Sequence, residues 1–419
     1  MADTDHKRQP RLLPSRRGTR MISLAALLER VVEAFKDEHG SESPALRRAV
    51  TEAARMKLLL GTVDYVAAVE SVPLDTTDKA DLMRRAYAEL FGYGPLDALL
   101  ADPQITTITL EGAGRAAVRY GHGDLQSTGP LFEDETHLRQ IIQRLLATSG
   151  TDLHDDEPLL EAGLMVNGRR VSLSLATPPV TIYLSADIRL HPAQPPTLDD
   201  LVSNHMIPPA AAELLGQLAR SPYGIVVAGE AESGKTTLLG LLARLMTSET
   251  QRTLLAVERT GELHLPDGAA RLVAHPGGPH MPPVTLAEQV QAALERRVGC
   301  LLLDEVRTGE PEAVTPLLAS DNVPRMLWAF RGPATGKRLT VALSMLARRS
   351  HLAASEMAVQ RLYDRLPFVV TLRRRQGRLA LHSIAEWQPR DGADYPDYVE
   401  LTDFSGPQPV IRQPLRPLE

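Results

Sequence analysis

The stretch VVAGEAESGKTTLLGLLARL, residues 226–245, restricts the fold of this chain more than any other. Gly229, Gly234, Lys235 and Thr236 satisfy G-x-x-x-x-G-K-[ST], with the apolar run GIVVAG before them and a Leu-rich helical pattern after them. A strand that turns through a glycine loop into a helix fits that order. Glycines let the backbone close round an anion, the first amides of the helix point at it, and the helix dipole favours negative charge. The pattern therefore predicts a phosphate loop, Gly229, Glu230, Ala231, Glu232, Ser233, Gly234, Lys235, Thr236 and Thr237, for a nucleotide such as ATP. Lys235 would reach the β- and γ-phosphates, and the Thr236 hydroxyl would sit on Mg²⁺. The lysine also stands out by composition: this chain uses arginine almost everywhere, and Lys235 is the sole lysine between residues 80 and 336.

A phosphate loop needs an acidic residue at the end of a neighbouring strand. The run CLLLDEV offers Asp304 and Glu305, either of which can orient a metal's water shell or take a proton from an attacking water. The same run holds the single cysteine, Cys300, which cannot form an internal disulfide and reads as a small buried strand residue in a reducing cytoplasm.

Around this loop the chain alternates strands and helices. GIVVAG, TLLAVE, RLVAH, CLLLDEV, RMLWAF and FVVTL read as short apolar strands, with helical stretches at 236–247, 285–297 and 338–365, so that 201–388 predicts an α/β core. The run HPAQPPTLDD, 191–200, carries three prolines and is expected to be a linker, with Thr197 capping the next helix. Before it, 101–190 reads as a smaller α+β domain, with ITTITLEG and AAVRYG as strands and Asn167-Gly168 turning a hairpin. Apolar residues at helical spacing across 21–100 predict a helical N-terminal region. The Pro-rich tail 389–419 is expected to be loosely ordered.

The basic charge is local. Residues 1–20 carry Lys7, Arg8, Arg11, Arg16, Arg17 and Arg20 and read as a disordered tail, either a solvated leader or one that grazes an anionic membrane. SRRGTRMISLAALLER has a superficial likeness to a twin-arginine export signal, but Glu29 and Arg30 cut the apolar run short and no small-residue cleavage site follows. No apolar run approaches the ~20 residues of a membrane-spanning helix. A net charge of −6 argues against a protein that coats nucleic acid, although LRRRQGRL, with Arg373, Arg374, Arg375 and Arg378, is the feature a nucleic-acid translocase would use.

These residues together resemble the type II/type IV secretion and pilus-assembly ATPases, with the tight-adherence pilus branch nearest. The resemblance spans about 85–390: GYGPLDALLADPQITTITLEG is similar to that branch's G-x-G-P-L-x-x-L-L-x-D, AVERTGEL to the acidic box I-E-D-x-x-E-L, DEVRTGE to G-E-V-R-G-x-E, and ADIRLH to I-R-[KR]-F. PPTLDDLV resembles the segment joining the family's two domains. The resemblance implies an N-terminal sensor-like α+β domain joined to a RecA-like core, a hexameric ring of like subunits (mixed with a paralogue as an alternative), and a polytopic inner-membrane platform protein as partner. It places the protein in the cytoplasm at the inner face of the membrane. It implies a catalytic carboxylate at Glu305, Mg²⁺ and water management by Glu258 and Glu262, and a nucleotide-contacting arginine at Arg189, with Arg170 as a further arginine facing the nucleotide or a neighbouring subunit.

The chain also departs from the family. Arg259 replaces an aspartate of the acidic box, Gly163 replaces an arginine, and Gln291 and Glu295 replace two more. The histidine box falls on SDNVPRMLWAFRGP, where Asp321 and Ala329 stand in place of both histidines. Phosphoryl transfer relies on stabilising the charge spread over the transferred group, so binding is expected to be better preserved than turnover. Two readings follow: a slowly hydrolysing motor subunit, and a hydrolysis-deficient regulatory or scaffold subunit. No nucleic-acid partner is expected.

Overall fold

The computed structural model describes residues 12–14, 21–40, 43–247, 253–275, 277, 282–375, 378–390, 395–404 and 409–418. The basic residues of the leader lie outside these. The chain divides into two compact units, residues 1–102 with 131–145, and residues 103–130 with 146–419.

Apart from Leu12–Pro14, which pairs antiparallel with Met21–Ser23 although 1–20 was expected to be disordered, the first unit is helical. Leu24–Glu38, Glu52–Val69 and Thr76–Phe91 are opened by Ser23, Thr51 and Asp75, whose side chains accept the backbone N–H of Ala26, Ala54 and Asp78. Their apolar faces meet through Leu27, Val31, Phe35, Leu59, Val63, Leu82 and Ala86. The helical region is interrupted after Phe91, because Pro95 cannot continue a helix and Gly94 takes a left-handed φ of +55° before Leu96–Ala101 begins.

The second unit holds two sheets. The smaller is antiparallel, in the order 126–127, 115–120, 105–111, 185–190, 169–176, 159–166. Asn167 and Gly168 turn its last hairpin with φ of +51° and +75°, both positive as a twist-compatible two-residue turn requires. The joint that follows ends in a capping box between Thr197 and Asp200, which opens Leu198–Ser203.

The larger sheet has eight strands in the order 270–273, 254–258, 300–307, 325–331, 225–229, 368–375, 378–388, 397–400. The first six run parallel, 378–388 pairs antiparallel to 368–375, and 397–400 pairs antiparallel to 378–388. Ile225–Gly229 lies near the centre and is fully buried, with Ile225 and Val227 in the core on one face and Val226 and Ala228 in the core on the other. Burial on both faces explains why the inner strands, such as 225–229 and 254–258, read as unbroken apolar runs. The fold is thus α/β with an antiparallel α+β region and a helical segment ahead of it.

Two expectations change. The helical stretch 338–365 is two helices, Gly336–Ser350 and Ser355–Arg365, parted at His351. The described residues of the tail are fastened down: Asp397–Glu400 extends the sheet, and the buried Glu386 carboxylate accepts the backbone N–H groups of Leu415 and Arg416 and the Arg416 guanidinium. A buried carboxylate needs such partners, and the tail supplies them.

Gly163 has a steric reason. A β-carbon there would lie 1.7 Å from the Thr260 carbonyl oxygen, so the antiparallel sheet presses directly on the loop after strand 254–258. The arginine that the resemblance leads one to expect here cannot be accommodated in this packing. Gly163→Ala is expected to destabilise the second unit by about 1–3 kcal/mol, an overpacking cost, read as a fall in thermal midpoint; an unchanged midpoint would refute the contact.

Candidate functional site

At the C-terminal end of Ile225–Gly229 the chain turns through 230–234 into the helix Lys235–Thr247. A β-carbon on Gly229 would meet the Ser233 hydroxyl at 2.4 Å and the Leu372 carbonyl at 2.6 Å, so the loop closes only with glycine there. Lys235 is 5% exposed, donates to the Glu230 carbonyl at 2.8 Å and stands 4.0 Å from Glu305. Burial lowers its proton affinity, an effect that the Glu305 carboxylate opposes.

Lys235, Thr236, Thr237, Glu262 and Glu305 line one cavity of about 170 Å³ with Arg189 and loop residues 232–234. The order of strands accounts for its place, at the carboxyl ends of parallel strands where the connections diverge. Of the neighbouring acids at the end of strand 300–307, alternation sends Asp304 inward, where it is 4% exposed and accepts the Arg259 backbone N–H at 2.8 Å. Burial, with Glu258 and Glu262 nearby, raises the Asp304 carboxyl well above its usual range. Glu305 lines the cavity instead. Burial pushes its carboxyl up, yet Arg307 at 2.7 Å, Lys235 and Arg331 at 3.9 Å hold it below the usual range.

Glu262 joins both sheets. One oxygen accepts the Thr236 hydroxyl at 2.7 Å; the other accepts the Ser172 hydroxyl and lies 3.0 Å from His191 Nε2. Burial works against its charge, but the His191 imidazole and the two hydroxyls hold the carboxyl below its usual range. Because Thr236 donates to Glu262, its oxygen lone pairs face elsewhere.

Glu258 is not brought to the cavity. It is fully buried, 3.0 Å from Arg271 Nε, and accepts the Leu263 backbone N–H at 2.8 Å. Arg271 also donates to the carbonyls of Gly261 and Leu263, so this pair shapes the acidic-box turn. Arg170 likewise serves that turn, donating to the Gly261 carbonyl at 3.0 Å. Arg259 pairs with Glu310 and donates to the Glu305 carbonyl at 3.1 Å. The histidine-box positions also lie elsewhere: Ala329 is buried in strand 325–331, and Asp321 is exposed and held by Arg361. Gln291 and Glu295 are exposed.

Sequence reading missed Arg119, Arg331, Arg374, Ser172 and His191. Arg119 and Arg374 line the cavity and pair with Glu232, while Ser172 and His191 act through Glu262. Arg374 lay in the basic run LRRRQGRL, His191 in ADIRLH and Arg331 in SDNVPRMLWAFRGP, yet none was read as a site residue; Arg119 and Ser172 reach the site by folding from separate strands.

Residues 102–318, just over half of the chain, match the model of the type II/IV secretion system protein family. The chain belongs to that family. Membership implies nucleotide binding. The chain is 30% identical over 259 residues to a putative conjugal transfer protein of Mycobacterium tuberculosis, covering 59% of this chain and 71% of that one. It is 27% identical over 263 residues to the type IV secretion system protein VirB11 of Brucella suis, covering 54% and 69%. The structure of the pilus retraction motor PilT with bound ADP aligns over 74% of this chain and 80% of that one, at 15% identity and a TM-score of 0.46. No helix among the described residues is long and apolar enough to cross a membrane.

Glu258 generates a pH prediction. Burial, only partly offset by Arg271, pushes its carboxyl from the ordinary 4.5 to about 7. Between those values the unfolded chain has lost a proton that the folded protein keeps, so this group's contribution to stability falls as pH rises from 4.5 to about 7 and is flat beyond. Glu258→Gln removes that decline. Urea denaturation at pH 5 and pH 8 should show the variant gaining on the wild type at the higher pH, and parallel curves would contradict the assignment.

Proposed function

We propose that this chain is an ATP-binding motor subunit of a secretion or pilus-assembly system, of the tight-adherence type. The observation that carries the reading is the convergence of Lys235, Thr236, Glu262, Glu305 and Arg189 on one cavity at the mouth of the phosphate loop. Lys235 and the loop amides would hold the phosphates, and Arg189 would approach them from the antiparallel sheet. The oxygen donors here, the Thr236 hydroxyl with carboxylates behind it, suit Mg²⁺, which keeps most of its waters and takes few protein ligands. When bound, Mg²⁺ would neutralise charge on the phosphates. Thr236 and Glu262 would hold it, and Glu305 would orient or deprotonate the attacking water. Glu258 then acts as a positioning residue for the acidic-box turn.

Turnover is proposed to be slow. Glu305 is held by Arg307, which lowers its basicity, and neither Asp321 nor Ala329 offers a donor to the cavity. The same observation favours the second reading, a hydrolysis-deficient regulatory or scaffold subunit beside an active paralogue. In the proposed setting the subunits form a hexamer in the cytoplasm, peripheral to the inner membrane and working on a polytopic platform protein, with 101–190 and 201–388 as domains flexing about 191–200.

Calorimetry with Mg·ATP should show Lys235→Ala weakening binding by roughly two orders of magnitude, since truncating a buried charge partner costs a few kcal/mol. Equal affinities would end the phosphate-loop reading. Glu305→Gln should lower a measurable ATPase rate by about 10²–10⁴ while leaving ATP binding intact. Identical background rates in wild type and variant, at every protein concentration, would leave the regulatory reading in place of the motor.

A further inference from the structure

Glu232 sits inside the phosphate loop with φ of +57°, a left-handed backbone that costs a residue with a β-carbon of order 1 kcal/mol. Its carboxylate is a second oddity, an anion within a loop whose amides attract anions. Three arginines from separate strands converge on it: Arg119 makes a direct ion pair, Arg374 lies at 3.7 Å and Arg189 at 3.9 Å. All four residues line the cavity with Lys235 and Thr236. Arg374 also donates to the carbonyls of His122 and Gly123, in the turn after strand 115–120.

We propose that Glu232 is an internal counter-anion that competes with nucleotide phosphates for Arg119 and Arg374. The inference rests on the phosphate-loop reading and adds a regulation of that site. A guanidinium recognises carboxylate and phosphate with the same fork of donors, so the arginines serve one anion at the expense of the other. The Glu232 carboxylate is part of the loop, so it acts at a high effective concentration and also repels the phosphates across a partly buried space. Nucleotide binds by drawing the arginines from Glu232, and Glu232 takes them back as nucleotide leaves. Since Arg374 braces the 121–123 turn, each exchange is passed to the antiparallel sheet.

The full-length chain, titrated with Mg·ATP by calorimetry, tests this. Glu232→Gln should bind about tenfold more tightly, equivalent to about 1.4 kcal/mol, and Glu232→Gly, which suits the left-handed backbone, should do the same. The gain should shrink when Arg119 or Arg374 is also replaced by Ala. Unchanged or weaker binding by both Glu232 variants, with thermal midpoints at or above the wild-type value, overturns the proposal. If wild-type binding depends on Lys235 yet neither variant binds more tightly, this inference alone fails. If the variants bind and the wild type does not, the counter-anion is stronger than expected and the proposal stands. If none binds, the phosphate-loop reading fails with it.

Discussion

The buried ammonium of Lys235 sets the terms for the site. A cation removed from water must be met by fixed oxygens and anions, and here the Glu230 carbonyl and Glu305 meet it. Glu305 in turn carries its charge in a partly buried place only because Arg307 and Arg331 stand beside it, and Arg307 is shared with Glu161 of the antiparallel sheet at 2.8 Å. One buried lysine thus leads through Glu305 and Arg307 to Glu161 of the neighbouring sheet.

The acidic-box turn, residues 258–263, is the second junction between the sheets. Gly163 touches Thr260, Arg170 binds the Gly261 carbonyl, and Ser172 and His191 meet Glu262. Its own shape is kept by Glu258 and Arg271. The turn is therefore built from inside by one ion pair and gripped from outside by two strands, with Thr236 of the phosphate loop on the same carboxylate. Any movement of the antiparallel sheet would be felt at the Thr236 hydroxyl, which is the physical basis for coupling the proposed nucleotide site to the proposed domain motion.

The balance of charges suits the proposed reading, in which phosphate is held more readily than it is spent. Arg119, Arg189, Arg374 and Lys235 all face the cavity, whereas the groups at the family's histidine positions do not. Arg331, paired in register with Gly229, contributes a cation beside Glu305, and this raises acidity at the carboxylate that the proposed mechanism needs as a base. Binding and slow turnover are thus consistent with one electrostatic arrangement.

The α/β core was legible because its strands are buried on both faces and so read as apolar runs. The turn from strand 225–229 into helix 235–247 was legible because the glycine spacing of G-x-x-x-x-G-K-T is a local signal, and the Asn167-Gly168 turn and the Thr197 cap are local in the same way. The apolar run led to Asp304 and Glu305 together, and only the family resemblance chose Glu305 between them. What it could not decide was which charged groups meet. Glu258 and Glu262 are four residues apart in one box, yet one is turned into an ion pair with Arg271 and the other reaches Thr236. Arg119, Arg189 and Arg374 converge on Glu232 from far-separated strands. Long-range pairing of charges depends on sheet order and side-chain direction, which periodicity does not encode, and so only the tertiary structure selected them.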